Sequence, residues 1–431
     1  MRTRIGIIVA TTALVAAGAV PAAAQDGDVT ISLARFFGDC DDTTQGVTDV
    51  NQATTECEVI QILTNAFNAE DNGITVEKLG GQNWGDYYAQ LSTTFSAGDP
   101  PDVAVMHQHR LPDFAGRGLL MPLDQALADA GVDFSDYTQP AQDAATYEGE
   151  VFGVPFDLHA SLWHVNVDLF EEAGLVDESG MPTMPTSPDE LLEQCRQIQD
   201  ATGKQYFGHD WFEFGVGARL FLALVWQQGG DLSDGAVATV NTPEGQEALR
   251  LLNELATTCS DPAQGYTDSQ AGFLSGDIAV LHNGTWVVDQ YDRETEFDYV
   301  ATDLPNLYGT PAAWGDSHMW VMPRQSDEDP ATTAASIEFL KFLYESVGDW
   351  AIGTGHLGPR VSVIASDEYT NAPQRANYAG TADIAGLVPT VQGWAGAWDA
   401  LAEELNATWV TGKDQAQALA DAEARMNEEL D

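Results

Sequence analysis

Basic residues are scarce in this chain of 431 residues, which has 17 Lys and Arg against 67 Asp and Glu and a formal net charge of −50. Four of the basic residues are lysines, namely Lys78, Lys204, Lys341 and Lys413. A surface this negative repels phosphate backbones and anionic lipid headgroups, so nucleic acids and membrane surfaces are excluded as favoured partners. Salt screens the repulsion between carboxylates. The composition therefore predicts a halophilic acidic surface.

Long apolar runs are also missing, except at the N-terminus. Residues 5–20 are apolar, follow Arg2 and Arg4, and precede the small residues 22–24. This order is typical of a signal peptide cleaved after Ala24, and the run is short for a transmembrane helix. The first cysteine is Cys40, so the cleavage site lacks the cysteine of a lipoprotein. We therefore predict removal of residues 1–24 and a periplasmic location.

Cysteine is rare, with four residues in the whole chain. Four cysteines in an exported protein predict two disulfides, for which three pairings exist. We favour Cys40–Cys57 and Cys195–Cys259, because the first pair would close a polar loop with little apolar content of its own. Neither pair has CxxC spacing or a histidine at ligand distance, so disulfides are favoured over a metal site.

Motifs for catalysis and for cofactors are absent from the sequence. It has no GxSxG elbow, no HExxH, and neither a GxGxxG nor a P-loop after a predicted strand. Carboxylate pairs carry no information at this composition, because they occur throughout the chain. We therefore predict no catalytic residues, no metal and no cofactor.

The pattern of apolar residues predicts an α/β protein. The chain is 44% hydrophobic and long enough for two domains. Predicted strands at 29–34, 74–79 and 102–106 alternate with predicted helices at 59–70 and 87–97, which is typical of a largely parallel sheet. Ser187 and Thr242 each precede a proline and an acidic residue, so both are expected to start helices. Amphipathic helices are predicted at 332–345 and 415–430.

Aromatic residues in polar stretches indicate a ligand-binding cleft. Trp226 and Trp350 fall in apolar helical patterns and are expected in the core. Five other tryptophans lie among Gly, Asn and Asp: Trp84, Trp211, Trp286, Trp314 and Trp394. Each is equally well explained as a half-buried packing residue. Together they favour a site for a sugar, whose ring faces stack on aromatic rings while polar side chains bind its hydroxyls.

Several sequence blocks resemble those of the family 1 extracellular solute-binding proteins of ABC importers, the group that includes maltose-binding protein. The blocks occur in the family's order along the mature chain. They are FSAGDPPDV at 95–103, FAGRGLLMPL at 114–123, EGEVFGVP at 148–155, LWHVNVDLFEEAGL at 162–175, FLSGDIAVLHNGTW at 273–286, DLP at 303–305 and HLGPR at 356–360. The acidic composition and the segment between Cys40 and Cys57 depart from the common pattern, which leaves the ligand open.

The resemblance implies a periplasmic-binding-protein-like α/β fold, with two lobes and a cleft between them. Chain crossings would lie near Phe156–His159, Val300 and Phe342. The N-terminal lobe would then comprise 25–157 and 300–343, and the C-terminal lobe 158–299 and 344–431. Ligand contacts are expected from the tryptophans Trp84, Trp211, Trp286, Trp314 and Trp394 and from the polar residues His107, Asp157, His159, Asp316, His318 and Arg360.

Two functions follow from these observations. The first is a monomeric binding protein that closes its lobes around a carbohydrate and delivers it to the permease of an ABC importer. The alternative is a secreted carbohydrate-active enzyme, a hydrolase or lyase, with a similar aromatic cleft. Incubation with candidate oligosaccharides separates the two, since only the enzyme releases products.

Overall fold

The structure is a computed structural model that describes residues 28–80, 84–212, 215–233 and 237–431. The predicted signal peptide lies outside these residues. The strands are β1 Val29–Ala34, β2 Ile74–Lys78, β3 Val103–His107, β4 Thr146–Tyr147, β5 Glu150–Val151, β6 Gly153–Pro155, β7 His159–Asn166, β8 Gln205–Gly208, β9 Ile278–Gly284, β10 Tyr299–Thr302, β11 Ala313–Asp316, β12 His318–Val321 and β13 Ala385–Leu387.

Helices surround these strands. They are α1 Asp41–Thr44, α2 Glu56–Asn68, α3 Trp84–Ala97, α4 Leu111–Ala115, α5 Asp124–Ala130, α6 Gln139–Ala144, α7 Val167–Glu172, α8 Pro188–Thr202, α9 Val216–Gln227, α10 Pro243–Glu254, α11 Tyr266–Leu274, α12 Val288–Glu294, α13 Pro330–Glu345, α14 Val347–Thr354, α15 Val361–Ile364, α16 Asp367–Thr370, α17 Thr381–Ile384, α18 Trp394–Val410 and α19 Gln415–Leu430. In the part of the chain that the structure describes, none of them has both the length and the apolarity to cross a bilayer.

The first lobe is built on a five-stranded sheet in the order β2-β1-β3-β12-β6. Strands β1, β2 and β3 are parallel, as the strand–helix alternation of the sequence predicts, while β12 is antiparallel to both β3 and β6. Every residue of β3 is buried. The core of this lobe extends to α13 and α14, with Phe339 and Trp350 fully buried in it.

The second lobe is built on a six-stranded sheet in the order β13-β11-β7-β9-β8, with β10 also paired to β7. Strand β7 is buried along its whole length, because β9 covers one edge while β10 and β11 share the other. Its core includes the apolar side of α9 and the long helices α18 and α19. The two sheets and their separate cores make this a two-lobe α/β fold.

Three chain segments connect the lobes. The first runs from β6 to β7 through Asp157 and Leu158, within the predicted 156–159 crossing. The second is Ser317, between β11 and β12. The third passes Leu357, which exchanges two backbone hydrogen bonds with Leu158.

The second and third crossings differ from the positions expected near Val300 and Phe342. Strands β10 and β11 pair with β7, so residues 299–316 belong to the second lobe. Trp350 packs in the core of the first lobe, so that lobe continues past residue 343. Short apolar strands carry no local signal for which of two sheets they join, since pairing is decided by tertiary contacts.

The predicted helix starts and cysteine pairs are confirmed. Ser187 accepts a hydrogen bond from the backbone N–H of Glu190, and Thr242 accepts one from that of Gly245. Disulfides join Cys40 to Cys57 and Cys195 to Cys259, with Cα–Cα distances of 6.0 and 5.7 Å. The first ties the segment after β1 to the start of α2, and the second ties α8 to the end of the α10 region.

Candidate functional site

A cavity of about 290 Å³ lies between the two lobes. The first lobe contributes residues that follow β1, begin α2 and α3, and end β3. The second contributes residues of α9 and α11 and of the loop after β9. The lining residues are Phe36, Phe37, Gly38, Glu56, Trp84, His107, His159, Arg219, Tyr266, Trp286 and His318. Loops at strand ends in open α/β folds are the usual place for a ligand.

A smaller recess of about 40 Å³ adjoins this cavity and shares Trp84, His107 and Arg219 with it. It is closed on its other sides by further aromatic and polar side chains, including His109, Trp314, Asp316 and Trp394. A larger groove of about 690 Å³ lies between α3 and the C-terminal end of α19, but no tryptophan or histidine lines it. The inter-lobe cavity is therefore the candidate site.

Arg219 lies at the centre of the aromatic wall. Its guanidinium carbon is 4.2 Å from the ring centroid of Trp314, 5.3 Å from that of Trp286 and 5.8 Å from that of Trp84. Each distance is within the range of a cation–π contact. Tryptophans of both lobes thus surround one positive charge.

Trp286 is held in the cavity wall by its polar edge and by close backbone packing. Its Nε1–H donates to the hydroxyl of Tyr266 at 2.8 Å. A Cβ atom on Gly284 would lie 2.0 Å from the indole ring, so only glycine allows the ring to fold back over the backbone there. Gly284 is therefore required for this position of the ring.

Asp157 lies beneath the cavity, fully buried, where the three crossing segments meet. Its carboxylate accepts hydrogen bonds from His159 Nδ1 at 2.9 Å, from His318 Nδ1 at 2.8 Å and from Trp350 Nε1 at 2.8 Å. Burial alone would raise the pKa of Asp157, but the neighbouring His318, together with the hydrogen bond from His159, holds it well below its ordinary value. The result is an ionised carboxylate that ties all three crossings together.

A chain of hydrogen bonds connects this carboxylate to α3. His318 Nε2 is 3.2 Å from His107 Nε2, and His107 Nδ1 is 2.7 Å from the Tyr88 hydroxyl. Because the ionised Asp157 only accepts, His318 donates to it from Nδ1, and its Nε2 faces His107. Burial lowers the pKa of His107 well below its ordinary value, which keeps that ring neutral.

Four of these side chains offer metal-ligating atoms close together: Asp157, His159, His318 and His356 have one such atom each within 4.8 Å of the others. A zinc tetrahedron with bonds of about 2.0–2.1 Å needs ligand atoms roughly 3.3 Å apart. Two of the imidazoles already donate to Asp157. The hydrogen bonds therefore account for this cluster without a metal ion.

The structure brings most of the predicted contact residues to the cavity and to its adjoining recess. Trp84, His107, His159, Trp286 and His318 line the cavity, and Trp314, Asp316 and Trp394 line the adjoining recess. Asp157 lies beneath both.

Trp211 and Arg360 lie elsewhere. Trp211 is fully buried in the second lobe, where its Nε1–H donates to Ser260. Arg360 binds Asp136 at 2.8 Å and the carbonyl oxygen of Tyr344 at 2.9 Å, on the first lobe. A polar sequence neighbourhood does not distinguish a cleft tryptophan from one whose N–H is satisfied in the core.

Sequence reasoning missed Arg219, Tyr266, Glu56 and the pair Phe36–Phe37. The phenylalanines directly follow a predicted strand, so the rule that ligands bind at strand ends would have found them. Arg219 is the one charged residue of α9, which is otherwise apolar and reads as a core helix. Only the tertiary structure shows that its side chain reaches the cavity.

Comparison with known proteins identifies the class. Residues 63–377 match the family described as bacterial extracellular solute-binding protein, and the chain belongs to this family. A lactose-binding protein of Rhizobium radiobacter is 27% identical over 232 residues, which are 51% of each chain. The diacetylchitobiose binding protein DasA of Streptomyces coelicolor is 22% identical over 377 residues, which are 81% of each chain.

A solved structure shares the fold. The GacH receptor of Streptomyces glaucescens, determined unliganded and with acarbose, superposes with a TM-score of 0.79 at 20% identity, covering 94% of this chain and 98% of GacH. The predicted two-lobe α/β fold and the predicted family are confirmed. Family membership favours a binding protein over the secreted enzyme that the sequence left as the alternative.

Proposed function

We propose that this protein binds a carbohydrate between its lobes and delivers it to an ABC importer. The observation that carries the proposal is the inter-lobe cavity, where indole rings from both lobes stand beside buried polar groups. Trp84 and Trp286 supply flat apolar surfaces, while His107, His159 and His318 supply hydrogen-bonding groups. Sugars require this combination of stacking and hydroxyl recognition. Relatives named for lactose and diacetylchitobiose support the same class of ligand.

Lobe closure follows from where the hinge lies. Ligand contacts on both lobes stabilise the closed form more than the open form, so binding shifts the population toward closure. His159 and His318 belong to the crossing segments and line the cavity, so a ligand that contacts them also contacts the hinge. We place Trp314, Asp316 and Trp394 in a second set of contacts, and we leave Trp211 and Arg360 out.

The proposal also covers the location of the protein, its oligomeric state and its partner. The mature protein begins after Ala24, acts in the periplasm as a monomer, and presents its closed form to the permease subunits of the importer. Small-angle scattering would test both the monomer and the closure, because closure reduces the radius of gyration without changing the mass.

The test of ligand class is a thermal-shift screen of the mature protein. The probes are mono- and oligosaccharides, with amino acids and short peptides as controls. A ligand that binds only the folded state stabilises it and so raises the melting temperature. At a ligand concentration of 100 times Kd the stabilisation is about 2.7 kcal/mol. We expect at least one sugar to raise it and to be recovered unchanged. If only amino acids or peptides raised the melting temperature, a carbohydrate ligand would be rejected. Release of products from an oligosaccharide would instead favour the carbohydrate-active enzyme.

A further inference from the structure

The guanidinium of Arg219 lines the cavity and forms no salt bridge with a carboxylate of the described residues. Its Nε is buried without a hydrogen-bond partner, and its guanidinium carbon lies over three indole rings. Arg35 and Arg375, which are both buried, also leave Nε without a partner, but their terminal nitrogens are hydrogen-bonded. Arg375 binds Asp289 and two backbone carbonyls, and Arg35 binds Gln61. A buried N–H without a hydrogen bond is costly, because it has lost water without replacement.

No carboxylate of the described residues forms an ion pair with this guanidinium, although Asp316 and Asp210 are near enough to oppose the lowering of its pKa by burial. Asp316 is bound by His109 Nδ1 at 2.5 Å, and Asp157 is occupied by two imidazoles and an indole. Glu56 lines the cavity with its Oε1 3.4 Å from His356 Nε2, and burial together with the nearby Asp157 raises the pKa of its carboxyl well above the ordinary value. The chain has a net charge of −50, yet no described carboxylate pairs with this cation in the cleft. Arg219 is therefore available to bind an anionic group of a ligand.

The stacking geometry indicates which group completes the site. The guanidinium carbon of Arg219 lies 4.2 Å from the ring centroid of Trp314. A guanidinium in contact with an aromatic face can still donate from the N–H groups at the edge of its fork. A carboxylate matches that fork with two parallel hydrogen bonds. Trp84 and Trp286 line the cavity around the same guanidinium, so a sugar whose carboxylate reached Arg219 would lie among aromatic side chains.

We infer that the ligand is an acidic carbohydrate, and that Arg219 binds the carboxylate of a uronic acid residue in the inter-lobe cavity. This inference rests on the proposed carbohydrate function and specifies its ligand class.

The experiment compares each acid with its neutral methyl ester, which preserves the ring and removes the charge. The probes are glucuronate, galacturonate and mannuronate with their dimers and trimers, the methyl esters of each, and the corresponding neutral sugars. Titration calorimetry measures Kd for the parent protein. We expect at least one acid to bind about ten- to a hundredfold more tightly than its ester, because a hydrogen bond to a charged group contributes about 1.5–3 kcal/mol.

Three variants assign this preference to the residue. R219Q removes the charge and should abolish the difference between acid and ester, while R219K keeps the charge without the fork and should retain part of it. R196Q is the matched control, because Arg196 is an exposed arginine paired with Glu193 on α8. It should leave both Kd values unchanged.

The outcomes separate the inference from the function it rests on. If acid and ester bind equally to the parent, or if folded R219Q keeps the preference, the inference is overturned and the carbohydrate function stands. If neutral sugars alone bind, the result is the same. If no sugar binds, the carbohydrate function fails and the inference with it. Should R219Q fail to fold, R219K and the comparison of acid with ester on the parent protein still decide.

Discussion

Trp286 carries the proposed function at the scale of one residue. The indole is half-buried, its N–H is bound by Tyr266, and its ring edge meets His159 at a centroid distance of 5.8 Å. These contacts hold the ring in place before a ligand arrives. Replacing it with alanine removes a large flat surface from the cavity. We expect W286A to weaken sugar binding by about 2–4 kcal/mol, or roughly thirty- to several-hundredfold in Kd, measured by calorimetry with the sugar found in the screen.

Trp226 provides the matched control for that substitution. It is half-buried against the core of the second lobe, and its Nε1–H donates to Asp231 at 3.2 Å, away from the cavity. W226A should lower the melting temperature and leave the Kd of the folded protein unchanged. Parental affinity in W286A would mean that Trp286 only packs, and the proposed contact set would lose its main member.

At the scale of elements, the two disulfides differ in what they hold. Cys57 follows Glu56 at the start of α2, and Cys40 follows the cavity residues 36–38, so this bridge joins two parts of the cavity wall. We expect C40S/C57S to cost about 3 kcal/mol of stability for a sequence separation of 17, and also to weaken ligand binding. Urea unfolding and calorimetry measure the two effects.

The other disulfide is the control for this prediction. Cys195 and Cys259 are 64 positions apart and lie in the core of the second lobe, outside the cavity. C195S/C259S should cost about 4 kcal/mol of stability by the same loop-closure argument and leave the affinity unchanged. Equal affinity in both double variants would show that the first bridge stabilises the lobe without shaping the cavity.

At the scale of the whole molecule, the charge of −50 predicts a response to salt. At 0.01 M ionic strength the screening length is about 30 Å, so carboxylates repel one another across much of the surface. In molar sodium chloride it falls to about 3 Å. We expect the melting temperature of the ligand-free protein to rise steadily between these limits. A flat or falling curve would reject the halophilic interpretation of the composition.

Buried histidines predict a response to pH. Burial lowers the pKa of His164, His209 and His356 from 6.5 to about 3 each, so the folded chain keeps them neutral where the unfolded chain protonates them. Their contribution to stability is complete above pH 6.5 and is lost as the pH falls toward 3. Each histidine that is protonated in the unfolded chain but not in the folded chain lowers the unfolding free energy by about 1.4 kcal/mol per pH unit as the pH falls. The unfolding free energy should therefore fall steeply between pH 6 and 5, above the range where ordinary carboxyls titrate.

One histidine can be removed to test this account. His209 Nδ1 lies 3.0 Å from His282 Nδ1, and its Nε2 is buried without a partner. Asparagine places an amide near Nδ1 and does not titrate. Between pH 6 and 5, H209N should reduce the slope of unfolding free energy against pH by about 1.4 kcal/mol per pH unit, which corresponds to one proton. An unchanged slope would mean that His209 does not contribute to the acid sensitivity.

The sequence by itself determined the local and the compositional features. Residues 29–34, the caps at Ser187 and Thr242, and both cysteine pairs could be predicted, because each depends on alternation, on capping chemistry or on a small number of partners. The ordered sequence blocks determined the family and the two-lobe fold. Part of the proposed cavity could also be predicted: Trp84 and Trp286 from their polar sequence neighbourhoods, and His107 because it follows the predicted strand 102–106.

Only the tertiary structure decided how distant segments share one site. Strands β10 and β11 join the second sheet because β7 has an edge for them, which no property of their own residues indicates. Trp211 lies in the core because Ser260 satisfies its N–H, and Arg360 is taken by Asp136. Arg219 belongs to an apolar helix and still reaches the cleft, because three indoles from separate parts of the chain surround it. Side-chain partners distant in sequence have no local signature, so packing alone assigns them.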